Sequence, residues 1–227
     1  MKSWLIAIIL DILFFPSPKV VNSQEEVILF NQLYESAIAS PDKTINYNLS
    51  IPKYKFLRYL SDNKQVLFHG SNNPFIQTFE PREQTLFDGK MDKAVFATKD
   101  PIWSTFYAVL CKKSLLGSIR NGSMTANRKQ QYHFYSLTEP TLKKNPWTNG
   151  TVYLLPEQKF SPISKGPLQF DEWICRETVV PIVKIEVEPS DFYFLNKVAC
   201  HNETESIIQS WLLYKFRLTF SGRKNVD

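Results

Sequence analysis

Glycine is scarce in this chain, with 7 among 227 residues, and neither G-x-G-x-x-G nor G-x-x-x-x-G-K-[ST] occurs. That excludes a Rossmann-type dinucleotide loop and a P-loop. Cysteine is limited to Cys111, Cys175 and Cys200, with no C-x-x-C. Three is too few for a fold built on disulfides. They are read as one bridge plus one free thiol outside the cell, or as three thiols inside it. Histidine occurs only at His69, His133 and His201, without the paired spacing of a zinc site. G-x-S-x-G is absent, so the usual hydrolase elbow is missing too. There is no internal repeat, no low-complexity segment and no nucleic-acid-binding module.

What is present is apolar and aromatic. Hydrophobic residues make up 43% and charged residues 22%, with 17 Phe and 10 Tyr. A packed core is therefore feasible and disorder is not expected. The length favours one domain. Lysine and arginine exceed the acids for a net charge of +5, with basic clusters at Lys112-Lys113, Arg128-Lys129 and Lys143-Lys144. Such a balance suits solvated surfaces or an anionic ligand such as a dinucleotide.

Residues 1–23 carry the parts of a secretory leader: Lys2, an apolar run from Trp4 to Phe15 broken by Asp11, then Pro16, Pro18 and the small-residue step Val21-Asn22-Ser23. The other reading is an apolar helix docked on the domain. The leader reading expects a domain over residues 24–227, a secreted protein (otherwise a cytoplasmic one) and no membrane span in the mature chain. Sequons at Asn48, Asn121, Asn149 and Asn202 lean the same way.

Apolar residues at three- and four-residue steps predict a helix over 25–39 and a shorter one over 54–60. Strands are expected at 65–69 and 94–98. Asp100-Pro101 then opens a helix as cap and first-turn proline. Strands 132–137 and 151–155 flank the turn signals Asn145-Pro146 and Asn149-Gly150. More strand is expected from Trp173 to Val187. Asn202 with Glu205 reads as a capping box, and Ile207, Ile208, Trp211, Leu212 and Phe216 read as the apolar stripe of a closing helix. Together these predict an α+β domain.

Three segments could carry chemistry. Leu67-Phe68-His69-Gly70-Ser71 puts a histidine at a strand end beside a glycine, where a ligand can approach the backbone. Ala94 to Tyr107 is a strand-turn-helix with rings able to stack on a planar heterocycle. Phe170-Asp171-Glu172-Trp173-Ile174-Cys175-Arg176-Glu177 sets carboxylates around a strand start. The commoner fates of these groups are a turn histidine, core rings and solvated acids.

In this order the segments resemble the ADP-ribosyltransferase superfamily over roughly residues 65–188. His69-Gly70-Ser71 is similar to the first nicotinamide-ribose motif of poly(ADP-ribose) polymerases. Phe96-Ala97, ten residues before Phe106, is similar to their second motif, and Glu172-Trp173-Ile174 to the strand with their catalytic glutamate. The strand, acid-Pro step and helix tryptophan of the second segment also resemble rifampin ADP-ribosyltransferases. The resemblance implies split mixed and antiparallel sheets with flanking helices, and NAD⁺ as substrate, with the acceptor open among protein, nucleic acid, small molecule or water. It implies that His69 holds ribose hydroxyls and the Gly70 backbone holds the nicotinamide amide. Ser71 and Phe96 would line the site, Phe106 with Tyr107 would stack on the ring, and Glu172 would stabilise the departing-group transition state. The pattern departs from the family at Val95, where the second motif normally has tyrosine, and at Trp103, where some relatives carry a small hydroxyl residue. Glu177 rivals Glu172 for the acid. A non-catalytic binding protein of the same fold is the alternative.

Overall fold

The computed structural model describes residues 3–85, 91–126, 130–164 and 166–221. Lys2 and the Arg128-Lys129 cluster lie outside them. The helices are α1 (Ser3–Leu13), α2 (Gln24–Ala39), α3 (Lys53–Asn63), α4 (Pro101–Val109), α5 (Glu139–Lys143) and α6 (Ile207–Ser221). The strands are β1 (Phe15–Pro16), β2 (Thr44–Ile45), β3 (Val66–Ser71), β4 (Arg82–Thr85), β5 (Met91–Ala97), β6 (Ile119–Thr125) and β7 (Tyr132–Thr138). They continue with β8 (Gly150–Pro156), β9 (Ser161–Pro162), β10 (Gln169–Phe170), β11 (Trp173–Cys175), β12 (Val183–Val187) and β13 (Ala199–His201).

Among the described residues these strands form three sheets, ordered β1-β7-β6-β10 with β13 also on β7, β4-β5-β11-β9, and β2-β12-β8-β3. Only β2 with β12 and β13 with β7 run parallel within them. The fold is thus α+β with mixed and antiparallel sheets. A bridge between Phe68 and Thr98 joins the second sheet to the third through two backbone hydrogen bonds of 2.8 and 3.0 Å. The strand ending near His69 therefore meets the strand ending at Ala97, and β11 pairs β5 directly.

Local chemistry explains the elements that position the cleft. Strand side chains alternate between faces. On β3, Val66 and Phe68 enter the main core while Leu67 enters a smaller one with Phe79, Val95, Tyr153 and Cys175. Both faces are buried, so the strand reads as a continuous apolar run ending at His69. Asp100 caps α4, its carboxylate accepting from the Ile102 amide at 3.0 Å, with Pro101 at the first turn. Gly70 and Gly150 let α4 lie against the third sheet. A β-carbon on Gly70 would stand 2.6 Å from the Ala108 nitrogen and closer still to the Ser104 carbonyl oxygen.

Several expectations are corrected. The strands expected at 132–137 and 151–155 are β7 and β8, which belong to different sheets with α5 and the turn residues between them. The 173–187 stretch carries two strands, β11 and β12, which lie in different sheets. The closing helix starts at Ile207, where the Ser206 hydroxyl accepts from the Gln209 amide at 3.1 Å. Asn202 instead builds its own turn, accepting from the Thr204 amide. Glu205 turns inward to Arg217 and Ser210. The expected apolar stripe of that helix mostly faces outward: Ile207, Ile208, Leu212 and Phe216 are exposed, and the helix rests on Ser210 and Tyr214. All three cysteines are free thiols.

Residues on either side of the boundary expected at residue 23 pack together. Ile6, Leu10 and Phe14 recur at four-residue steps and are buried with Met124, Phe134 and Tyr214 in a second core. β1 pairs the edge of β7, and the Ser17 amide donates to the Gln131 carbonyl. The run that looks like a leader has a helical face that packs.

Candidate functional site

A cleft of about 260 Å³ opens where the second and third sheets meet α4. Its floor is β3 at His69, Gly70 and Ser71, with β5 along one wall and Trp103, Ser104 and Tyr107 of α4 along another. Glu172, just ahead of β11, reaches the same cleft. Residues far apart in the chain are thus brought together, because β11 pairs β5 and the Phe68–Thr98 bridge ties β5 to β3.

His69 Nδ1 lies 2.7 Å from the Phe96 carbonyl oxygen. A carbonyl only accepts, so the proton sits on Nδ1 and Nε2 is left as an acceptor. Burial pushes the imidazole pKa down to about 4, aided by the positive charges of Lys112 and Arg82, while the Phe96 bond opposes the shift. The ring packs on Phe79 with centroids 4.7 Å apart. At neutral pH His69 is therefore an uncharged, oriented acceptor.

Tyr107 stands half-buried, its ring 6.2 Å from that of Trp103. Burial raises its hydroxyl pKa to about 12; the Asn121 side chain opposes the shift, and the negative charge of Glu172 adds to it. Trp103 Nε1 donates to Asn121 Oδ1 at 2.5 Å. Asn121, noted in the sequence only as a sequon, thus holds both rings from inside β6. Phe106 is corrected as a stacking residue. It is fully buried in the main core against Tyr135 and Phe192, because the helix turns it away from the cleft. Phe96 does line the cleft. Ser71 lines it too, with its hydroxyl accepting from the Asn73 amide. Gly70 borders the cleft, but the space of its missing β-carbon is filled by α4.

Glu172 and Glu177 separate cleanly. Glu172 lines the cleft; Glu177 is exposed on the turn after β11. The stretch before Glu172 is pinned by Asp171, whose carboxylate accepts from Thr98 Oγ1 and Trp173 Nε1, each at 2.9 Å. Burial first, then the nearby Asp100 charge, raises the Asp171 pKa. Phe79, Glu80, Arg82 and Lys112 also border the cleft. Sequence periodicity gave no sign of the first three, which sit in or just ahead of the short strand β4, and Lys112 was visible only as half of a basic pair.

A second polar cluster is sealed inside. Asp100 contacts Arg58 and His133 Nε2, each at 3.3 Å, and accepts from Ser123 Oγ at 2.5 Å. Ser17 Oγ is 2.6 Å from the same His133 Nε2. A hydrolytic triad needs serine and acid on opposite ring nitrogens. Here both meet one nitrogen, and His133 is fully buried, so the cluster is structural. Among known proteins the chain matches no family model, no curated protein and no solved structure.

Proposed function

We propose that this α+β domain is an NAD⁺-using ADP-ribosyltransferase-like enzyme that acts in the cleft between β3, β5 and α4. The observation that supports it most is the convergence of His69, Phe96, Tyr107 and Glu172 on that one cleft. Its volume lies just under the roughly 300–1,000 Å³ of small-molecule pockets, which suits the nicotinamide riboside half of the dinucleotide with the rest extending outward. Neutral His69 accepts from a ribose hydroxyl through Nε2. Tyr107 and Trp103 offer ring faces to the nicotinamide. The bond between nicotinamide nitrogen and ribose C1′ breaks, its electron pair leaves with neutral nicotinamide, and positive charge builds on the ribose. Glu172 stabilises that charge. The acceptor's nucleophilic atom then bonds C1′ and gives up its proton.

The test follows nicotinamide release and label transfer from NAD⁺ together. Glu172→Gln is expected to lower the rate about 10²–10³-fold, as for loss of one preorganised electrostatic group, with NAD⁺ binding kept. His69→Ala is expected to weaken binding, and Glu177→Gln to leave the rate unchanged. A crippled Glu177→Gln beside an unaffected Glu172→Gln would displace the assignment. NAD⁺ bound without turnover would favour the binding-protein reading, and Val95 gives that reading its own support. It is buried in the smaller core, so the wall where the family pattern has tyrosine carries no ring.

A further inference from the structure

We propose that α1 and α6 together form a docking surface for an anionic lipid bilayer. Of the 17 exposed large apolar side chains among the described residues, nine lie on these two helices: five on α1, including Trp4 at 59% and Ile12 at 65%, and four on α6, including Leu212 at 61% and Phe216 at 58%. Single exposed apolar residues are ordinary, but a concentration on neighbouring elements marks an interaction surface. The two helices are packed as a pair. The rings of Phe14 and Trp211 meet edge to face at 5.6 Å, and Lys215 Nζ donates to the Asp11 carbonyl at 2.6 Å. Ile6, Leu10, Phe14 and Tyr214 face the core, which leaves the outward faces side by side.

Length and charge identify the occupant. At about 1.5 Å per residue, the 11 residues of α1 and the 15 of α6 reach about 17 and 22 Å, short of the roughly 30 Å of a bilayer core. No helix among the described residues is long and apolar enough to cross a membrane. Such helices lie in the plane of the headgroups, where tryptophan is favoured. Asp11 is the only acid on either helix. Lys2 precedes α1, Lys215 lies within α6, and Arg223 and Lys224 follow it in the sequence. An anionic leaflet attracts basic residues of this kind. A second copy of the chain would bring the same sign of charge and be repelled.

The test is flotation of the full chain with vesicles of equal parts phosphatidylglycerol and phosphatidylcholine. The chain is expected to float with them, and to bind less on pure phosphatidylcholine or in high salt. Ile12→Glu with Leu212→Glu is expected to lower the partition coefficient by about 100-fold or more, since two apolar anchors are lost and two negative charges gained. Trp4→Ser with Phe216→Ser, which adds no charge, is expected to weaken binding as well. Leu29→Glu, on the exposed face of α2, is expected to change nothing. Circular dichroism of each variant is expected to match the parent, because every changed side chain is exposed. The proposal falls if the parent chain stays unbound. It falls equally if both double variants bind like the parent, or if the parent is a dimer that either double variant converts to a monomer.

Discussion

Phe14→Ala tests whether α1 belongs to the folded protein. Phe14 is 1% exposed, with its ring 5.6 Å from those of Phe134 and Trp211 and 6.3 Å from that of Tyr214. Three rings fixed by a sheet and a helix cannot collapse to fill the gap, so the cavity persists. Buried Phe→Ala changes of this kind cost about 3–5 kcal/mol. For a chain of this size each kcal/mol lowers Tm by about 2–4 °C, so the expected drop is about 6–20 °C. The control is Ile12→Ala, in the last turn of α1 just before Phe14. Ile12 is 65% exposed, and its loss is expected to cost about 0.5 kcal/mol or less. Thermal unfolding of the full chain, followed by near-ultraviolet circular dichroism, reads both. Equal Tm values for Phe14→Ala and the parent would refute the packing of α1, and with it the second core as described.

Three further outcomes are expected. Gly70→Ala drives a β-carbon into the backbone of α4 at Ser104 and Ala108, where no side chain can move aside, so soluble yield and Tm should both collapse. His69 and His133 have folded pKa values of about 4, below the ordinary 6.5, so the unfolded chain takes up protons first. Stability should therefore fall as pH drops from about 6.5 towards 4, by up to about 1.4 kcal/mol per pH unit for each histidine, with Asp171 opposing because its pKa is raised. In urea titrations across that window, His133→Gln should flatten the slope. Ellman's reagent should find three thiols after denaturation and react first with Cys111 in the native protein. The hydrogen bond from the Ser114 side chain lowers the Cys111 pKa, burial raises that of Cys200, and Cys175 is buried.

Elements with their own local chemistry were legible in the sequence. Asp100-Pro101 announces α4, and the three- and four-residue steps announce α2. β6 was not legible, since Ile-Arg-Asn-Gly-Ser-Met-Thr shows no alternation; its inward polar groups are satisfied by partners such as Trp103 and Asp100. α6 misled because its apolar stripe was assumed to face the core, whereas of that stripe only Trp211 packs inward, beside Tyr214, which sits between the rings of Phe14 and Phe134. For the cleft, His69, Tyr107 and Glu172 could be named because each ends or flanks a recognisable strand or helix. Phe106 could not be told from Tyr107 by spacing, since adjacent helix positions differ by about 100° of rotation and only packing decides which turns inward. Arg82 and Glu80 reach the cleft through tertiary contacts that no local pattern encodes.

The four residues Phe170 to Trp173 join the end of β10 to the start of β11. Phe170 packs into the second core, Asp171 bonds Thr98 near the sealed cluster, Glu172 enters the cleft and Trp173 packs on the smaller core. Four neighbouring compartments are therefore threaded by one residue each, like beads indexed to successive teeth of a ratchet. Single substitutions there alter one compartment, but an inserted or deleted residue shifts all four at once. The stretch is rigid in length, the reverse of an ordinary surface loop.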